Sequence, residues 1–554
     1  MTTTSPGGDV SARRAQMFPR LSSPQIARIA RVGKERALSA GELLFDEGDR
    51  DVPLHVVLEG QVSIVHPRDG HEDPITVHGP GEFTGEASML ADRPALVRGR
   101  ATTAGRVLEV PRPVLKSLVQ TDPDLSEILL RAFILRRMGL LSGHHGDAVV
   151  LGSRHSAATL RVQEFLTRNG HPYRYVDVDL DDNVQALLDA FHVAVGDVPV
   201  LICRGERVLK SPSNAEVAEC LGFNPTLDAG IIHDLVVVGA GPAGLAAAVY
   251  GASEGLDVVV LETSSPGGQA GSSSKIENYL GFPTGISGQA LAQRALAQAE
   301  KFGAKVMITR SAVKLRCEEL PYGIDTADGG CVRARAIVIA TGAEYRKLDL
   351  PELQKFEGVG VYYGATFVEA QRCSAEEVIV VGGGNSAGQA ATFLAQTSSH
   401  VHIFVRSDGL AASMSRYLIR RIEETPNITL HTRTRITGLA GGDHLEQVTW
   451  IDDRAGQTSV RPIRTVFSMT GAKPNTEWLD GCLKLDDKGF ILTGTDLPSA
   501  PPGVSARRPA LLHETSLPKV FAVGDVRANS VKRVASGVGE GSVCVQLVHR
   551  VLAE

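Results

Sequence analysis

The chain has 554 residues, too many for one hydrophobic core, so roughly three or four domains are expected. Apolar residues make up 43% and charged residues 22%, an ordinary globular balance, and the net charge of -6 leaves no basic surplus for gripping nucleic-acid phosphates. No apolar run approaches the ~20 residues a membrane span needs, and Met1 to Gly8 lacks the charged-then-apolar layout of a secretory signal, so the expected location is cytoplasmic.

Pro24 to Val32 reads as a helix. From about Leu38 to Val110, short alternating apolar runs are punctuated by glycine, the rhythm of a small antiparallel β-barrel or jelly roll. Arg112 to Met138 is helical again. With Gly41, Gly48 and Gly60 at turns and the cassette Gly85-Glu86-Ala87-Ser88-Met89-Leu90, residues 18–140 resemble a cyclic-nucleotide-binding domain. The resemblance implies that Glu86 holds a ribose 2'-hydroxyl and that an arginine just after a proline pairs with the cyclic phosphate. Pro94 is followed by Ala95, however, leaving Arg98 and Arg100 of the next strand as candidates. A buried phosphate without a cationic or backbone partner is costly. A structural or dimer-forming domain is therefore expected, with a cyclic nucleotide at Glu86 as the alternative.

Residues 147–224 alternate strand and helix: a strand at Ala148 to Leu151, a helix at Ala158 to Arg168, a strand at Tyr173 to Val178, a helix at Val184 to Phe191 and a strand at Val198 to Cys203. The spacing resembles a glutaredoxin, a thioredoxin-fold domain, with Asp197-Val198-Pro199-Val200 where that family carries a cis-proline. Its redox cysteines would fall at Ser156 and Thr159. Hydroxyls form no disulfide, so this unit is expected to bind or space rather than react.

From Ile231 an apolar strand, Leu235 to Val238, runs into Gly239-Ala240-Gly241-Pro242-Ala243-Gly244 and a helix of small residues. In such a Gly-x-Gly-x-x-Gly turn the first glycine makes the turn, the second lets a pyrophosphate approach the backbone, and the third lets helix and strand pack closely. The next strand, Val258 to Leu261, ends in Glu262, placed for ribose hydroxyls. A second copy follows: Val378 to Val381, Gly382-Gly383-Gly384-Asn385-Ser386-Ala387, then a helix from Gly388 to Gln396. Its following strand, His402 to Val405, ends in Arg406, a cation suited to a 2'-phosphate and hence to NADPH over NADH.

Two such motifs, the second inserted within the first domain, resemble the low-molecular-weight thioredoxin reductase family over the last ~320 residues. Supporting motifs are Gly267-Gly268-Gln269, Ile276-Glu277-Asn278-Tyr279, Ala340-Thr341-Gly342-Ala343 and Val520 to Val526. The resemblance implies two nested Rossmann-like α/β domains: an FAD-binding domain of residues 231–350 and 474–554, and an NADPH-binding domain of residues 351–473. It places Gln269, Asn278, Asp525, Arg533 and Val534 beside FAD, with Gly268 and Gly342 in the surrounding turns. It also implies a homodimer, and rotation of the NADPH domain on linkers near Glu344 to Leu350 and Ala472 to Asn475.

The family's Cys-x-x-Cys is missing. Where it is expected the chain reads Tyr363-Gly364-Ala365-Thr366-Phe367-Val368, and the seven cysteines, at 203, 220, 317, 331, 373, 482 and 544, contain no such pair. All seven are expected to be inert thiols, Cys373 included, and no metal site is expected. Transfer of hydride from NADPH to FAD needs no cysteine. Reduced flavin must then discharge to a quinone, dioxygen, a ferredoxin-type partner or a thioredoxin-like protein. The alternatives are a thioredoxin-disulfide reductase acting without its own dithiol, and a redox or cyclic-nucleotide sensor with little turnover.

Overall fold

The computed structural model describes residues 14–68, 71–86, 89–90, 93–142, 147–154, 156–180, 197–204, 207–227, 230–365, 367–479, 481–498 and 508–554. The helix expected at Val184 to Phe191, and Ala87 and Ser88 of the cassette, lie outside them. The chain divides into two compact units, one of residues 1–153, 165–228 and 296–309, the other of residues 154–164, 229–295 and 310–554.

In the first unit two antiparallel sheets carry the alternating segment. One orders Lys34–Leu38, Gly105–Val110 and Leu54–Glu59; the other orders Leu43–Phe45, Arg98–Ala101, Val62–Arg68 and His71–His78. Apolar side chains such as Leu54, Val56, Phe83 and Phe133 form its core. The single helix expected from Arg112 to Met138 is two, Arg112–Thr121 and Pro123–Ser142. Pro123 drives Asp122 out of the helical region, to φ -114° and ψ 99°.

His55 is fully buried in this core, 3.8 Å from Glu109, and burial pushes its imidazole down to about 4. The unfolded chain takes up that proton near pH 6.5 and the folded chain does not, so stability is complete above about pH 6.5 and is lost as pH falls towards 4. The shift corresponds to a loss on the order of 3 kcal/mol. Chemical denaturation of His55→Leu and wild type at pH 7 and pH 4.5 should show a smaller acid loss for the variant; equal losses would count against a neutral buried His55.

A four-stranded sheet orders Arg207–Lys210, Val200–Cys203, Ala148–Gly152 and Tyr173–Asp177. The last two are parallel and the other neighbours antiparallel. Helix Ala157–Arg168 connects the parallel pair. The Val198–Pro199 peptide is cis, and the strand expected from Val198 begins at Val200, since Pro199 has no N–H to give a ladder.

The cysteines are not all free thiols. Cys203 is bonded to Cys220 and Cys317 to Cys482, leaving Cys331 exposed and Cys373 and Cys544 buried. The expectation of seven thiols fails because the partners lie 17 and 165 residues apart, distances at which sequence spacing carries no signal. Alkylation after unfolding should therefore label three cysteines without reductant and all seven with it. Seven labelled without reductant would exclude both bonds.

The second unit holds a mixed sheet with a parallel centre and an all-parallel sheet. In the first, Val258–Glu262, Ile232–Val238, Cys331–Ile339 and Val520–Ala522 run parallel, and Tyr322–Thr326 and Ala312–Arg316 extend it antiparallel. Both faces of its central strands are covered, which is why Val236 to Val238 and Ala336 to Ile339 read as unbroken apolar runs. The second sheet orders Val361–Tyr362, Thr465–Ser468, Glu377–Val381, His400–Phe404 and Ile428–His431, all parallel. The two connections between these sheets pair with each other, Ala343 opposite Pro474 and Glu344 opposite Lys473.

Candidate functional site

In the first parallel sheet the C-terminal strand ends fall in register. Val238 lies beside Leu261 and Ile339, and Ile339 beside Ala522. The chain leaves these ends at Gly239, Glu262, Ala340 and Val523, so four segments far apart in sequence meet at one edge.

The glycines there answer to different demands. Gly239 has φ 104°, and a Cβ on it would fall 2.4 Å from the Ala340 carbonyl oxygen. A Cβ on Gly244 would fall 1.9 Å from the Gly239 oxygen. Gly241 is under neither constraint: its φ is -69°, and the nearest atom to an added Cβ is Gly268 Cα, at 4.0 Å. Protein packing leaves the space in front of Gly241 open. Helix Pro242–Ser253 begins there with no side-chain cap, and Ala243 lies in its first turn, so first-turn N–H groups are available to an anion.

Glu262 holds this turn together. Its carboxylate accepts N–H bonds from Ala240 at 2.8 Å, Ser264 at 2.9 Å and Ser265 at 3.2 Å. Of about four acceptor positions on a carboxylate, one remains. The Gly267–Gly268 turn closes against it, with Gly267 N–H bonded to the Ala240 oxygen at 2.8 Å. Gln269 and Asn278 are exposed. Gly342, at φ 64°, has open space around it.

Asp525 sits in a short 3-10 turn, Gly524–Val526, where burial raises it above the usual carboxylate range and Lys532 pulls the other way. Arg533 is exposed and caps helix Val534–Leu552, with Val534 its first residue. That helix packs closely on Pro242–Ser253, since a Cβ on Gly541 would fall 2.2 Å from the Ala243 oxygen. Sequence reasoning missed Glu540, which accepts the Gly524 N–H at 2.7 Å and pairs with Arg527 at 2.7 Å, fixing the Asp525 turn. A lone glutamate in a glycine-rich helix gave no signal for that role.

The second sheet repeats the plan. Val381 lies beside Phe404 and Ser468. Gly382 has φ 146°, with an added Cβ 2.5 Å from the Met469 oxygen, whereas Gly384, at φ -93°, has nothing within 4 Å. Helix Asn385–Leu394, three residues earlier than expected, starts at Gly384 without a side-chain cap. Asn385 accepts the Ser415 N–H at 2.7 Å and Ser413 donates to the Gly383 oxygen at 2.8 Å, contacts the sequence did not suggest. Arg406 follows the strand His400–Phe404 and is exposed. The half-buried Tyr345, also missed, hydrogen-bonds Ser386 and is raised by burial, with Asp525 near enough to add to the rise. Arg421 pairs with Glu277 at 2.6 Å.

A Cβ on Gly364 would lie 3.6 Å from Ser272 Cβ, so the stretch that stands in place of the family's dithiol runs beside the Gly268–Gly271 helix. Thr366 and the side chains of Phe367 and Val368 lie outside the described residues. Cys373 is fully buried and donates to the Glu369 and Ala370 carbonyls, and burial pushes its thiol up to about 11, so it holds its proton at neutral pH.

The N-terminal sheets and their flanking helices line a cavity of about 310 Å³, with Glu86, Ala95, Arg93, Arg112 and Arg136 in its wall. Neither of the arginines considered for a phosphate lines it. Arg98 pairs with Asp46 at 2.7 Å and Glu72 at 2.9 Å, and Arg100 with Glu72 at 2.8 Å, so neighbouring carboxylates hold both.

The pyridine nucleotide-disulphide oxidoreductase family model matches residues 233–541, more than half of the chain. The chain belongs to that family. It is a thioredoxin-reductase-like NADPH-dependent FAD oxidoreductase, with FAD and NADPH as cofactors. It is 31% identical over 324 residues to the thioredoxin reductase of Listeria monocytogenes, covering 58% of this chain and 95% of that protein. With the thioredoxin reductase of Mycolicibacterium smegmatis it shares 32% identity over 324 residues, 58% and 97% of the two chains. The crystal structure of Lactococcus lactis thioredoxin reductase in the FR conformation superimposes with a TM-score of 0.52 at 26% identity, covering 58% of this chain and 99% of that one. A cyclic nucleotide-binding domain matches residues 35–122. No described helix is long and apolar enough to cross a membrane.

Proposed function

We propose that residues 231–350 with 474–554 hold FAD, that residues 351–473 hold NADPH, and that electrons leave for an acceptor without passing through a Cys-x-x-Cys of this chain. The observation that carries the reading is the pair Gly241 and Gly384. Neither backbone conformation nor packing demands glycine there, and both stand before an uncapped helix, which is what a pyrophosphate laid against the backbone requires.

In this reading the Pro242–Ser253 N-terminus takes the FAD pyrophosphate and the free acceptor position of Glu262 takes a ribose hydroxyl. Asp525, fixed by Glu540, accepts from the ribityl chain, and Gln269, Asn278, Arg533 and Val534 border the flavin. The Asn385–Leu394 N-terminus, with Ser386 in its first turn, takes the NADPH pyrophosphate, and Arg406 its 2'-phosphate. When bound, FAD accepts hydride from NADPH and releases two electrons to the acceptor. The paired connections at Ala343–Glu344 and Lys473–Pro474 allow one domain to turn on the other.

A second reading rests on the four-stranded sheet, whose parallel pair is joined by helix Ala157–Arg168. In this reading residues 147–224 act as a thioredoxin-fold domain that docks a thioredoxin-like disulfide partner, which reduced flavin meets directly. Anaerobic stopped-flow mixing with NADPH should bleach the visible flavin band rapidly while the enzyme's free-thiol count stays constant. A flavin-loaded protein that neither NADPH nor NADH bleaches would sink both readings and leave a sensor. After bleaching, reoxidation by a quinone or dioxygen supports the first reading, and thiol formation in an added thioredoxin the second.

A further inference from the structure

A cyclic nucleotide is the ligand that resemblance assigns to the N-terminal barrel, and the cavity does not fit one. The position after Pro94 is Ala95, followed around the lining by Leu96 and Val97, and the neighbouring Arg98 and Arg100 are held in ion pairs outside it. A cyclic phosphate presents two free oxygens that share one negative charge, and an apolar wall there would leave them without donors.

The cavity is nevertheless built to hold something. Its volume, about 310 Å³, lies at the small end of the range for ligand sites, and most of its wall is apolar, including Phe45, Ile64, Ile75, Val97 and Leu140. Its polar wall includes Thr84, Glu86 and Arg136. Arg136, 7% exposed, spends its Nε and Nη1 hydrogens on the carbonyls of Met17, Phe83 and Gly85 and stacks over the Phe83 ring at 4.7 Å, leaving Nη2 without a hydrogen-bond partner. No carboxylate lies within ion-pair distance of it among the described residues. Next to the Gly85 carbonyl that Arg136 grips, Glu86, 6% exposed, faces Arg137 through Oε2 at 3.4 Å and leaves Oε1 without a partner. The other lining arginines are committed: Arg112 pairs with Asp51 at 3.2 Å, and Arg93 faces Glu300 at 3.7 Å and lies over the Phe223 ring. One buried guanidinium thus lacks an anion, and one buried carboxylate oxygen beside it lacks a donor. Both are costly to leave unmet in a folded protein.

We propose that the barrel binds an amphipathic monocarboxylate carrying a hydroxyl group near its head, with the carboxylate on Arg136, the hydroxyl donating to Glu86, and an aliphatic body along the Ile64, Ile75 and Leu140 wall. The apolar wall supplies most of the affinity, and the Arg136 and Glu86 pair sets which head is accepted.

Calorimetric titration of the full-length protein with 3-hydroxydecanoate, decanoate, cyclic AMP and cyclic GMP tests the assignment. The expected result is one saturable site for 3-hydroxydecanoate, weaker binding of decanoate, and none for either nucleotide. Val97→Trp, which fills the cavity, should abolish binding while the flavin spectrum is kept. Glu86→Gln should leave decanoate binding unchanged or improved and remove the preference for the hydroxylated acid, while Arg136→Lys should weaken both acids roughly tenfold. Because Arg136 also ties three carbonyls, its variant is interpreted only alongside Val97→Trp and Glu86→Gln. Saturable binding of a cyclic nucleotide, carboxylate binding that survives Val97→Trp, or no carboxylate binding at all would overturn the proposal.

Discussion

Gly241→Ala is expected to lose FAD while keeping the fold. With φ at -69° and no atom closer than 4.0 Å to the new methyl, the flavin-free variant should unfold within about 1 kcal/mol of flavin-free wild type. The methyl would stand where the pyrophosphate must come against the backbone, displacing it from the Pro242–Ser253 N–H groups. Losing two charge-assisted hydrogen bonds costs about 3 kcal/mol or more, a weakening of roughly a hundredfold. Gly244→Ala should behave differently. Its methyl would sit 1.9 Å from a carbonyl oxygen of the same turn, so the helix must lift from the strand and the flavin-free protein itself should be destabilised, by about 3 kcal/mol. Gly384→Ala, with open space around it, should keep both fold and FAD but lose reduction by NADPH. Fluorescence titration with FAD and denaturant unfolding of the flavin-free proteins separate the three cases. A Gly241→Ala protein that binds FAD as tightly as wild type would remove the observation on which the functional reading rests.

What could be read from sequence here was whatever local pattern determines. A fully buried parallel strand must be an unbroken apolar run and a turn such as Gly239 to Gly244 must place glycines at fixed offsets, so both glycine motifs and their strands stand where spacing put them. Helix ends were less legible: the Asn385 helix starts three residues early because Gly384, a strong helix breaker elsewhere, serves as its N-cap. Contacts between distant residues left no trace in composition or period. Glu540 beneath the Asp525 turn, the Glu277–Arg421 pair and the Cys317–Cys482 bond each join ordinary surface-type or isolated residues, and only the fold brings them together. The N-terminal sheets show the opposite error. The sequence offered Arg98 and Arg100 as phosphate partners because they lie near Ala95, but strand alternation and the carboxylates of Asp46 and Glu72 take both elsewhere.

Arg406→Leu should convert a preference for NADPH into indifference between NADPH and NADH. Arg406 is exposed two residues beyond strand His400–Phe404 and one residue past Val405, which matches Glu262 in register, so at this edge the second sheet presents a cation where the first presents a carboxylate to a ribose hydroxyl. A guanidinium there gives a 2'-phosphate a charge-assisted bond worth about 1.5–3 kcal/mol and gives NADH nothing comparable. The variant's Kd for NADPH, measured by the concentration dependence of flavin bleaching under anaerobic conditions, should rise roughly ten- to a hundredfold. Its Kd for NADH and the limiting bleaching rate with either nucleotide should stay near wild type, because the side chain lies at the adenosine end and not at the reacting ring. Raising salt should weaken NADPH binding more steeply in wild type than in the variant, which lacks the screened Arg406 ion pair. If NADPH and NADH lose affinity equally, Arg406 supports the strand end rather than the phosphate, and the pyridine-nucleotide preference must be sought in other residues of that edge.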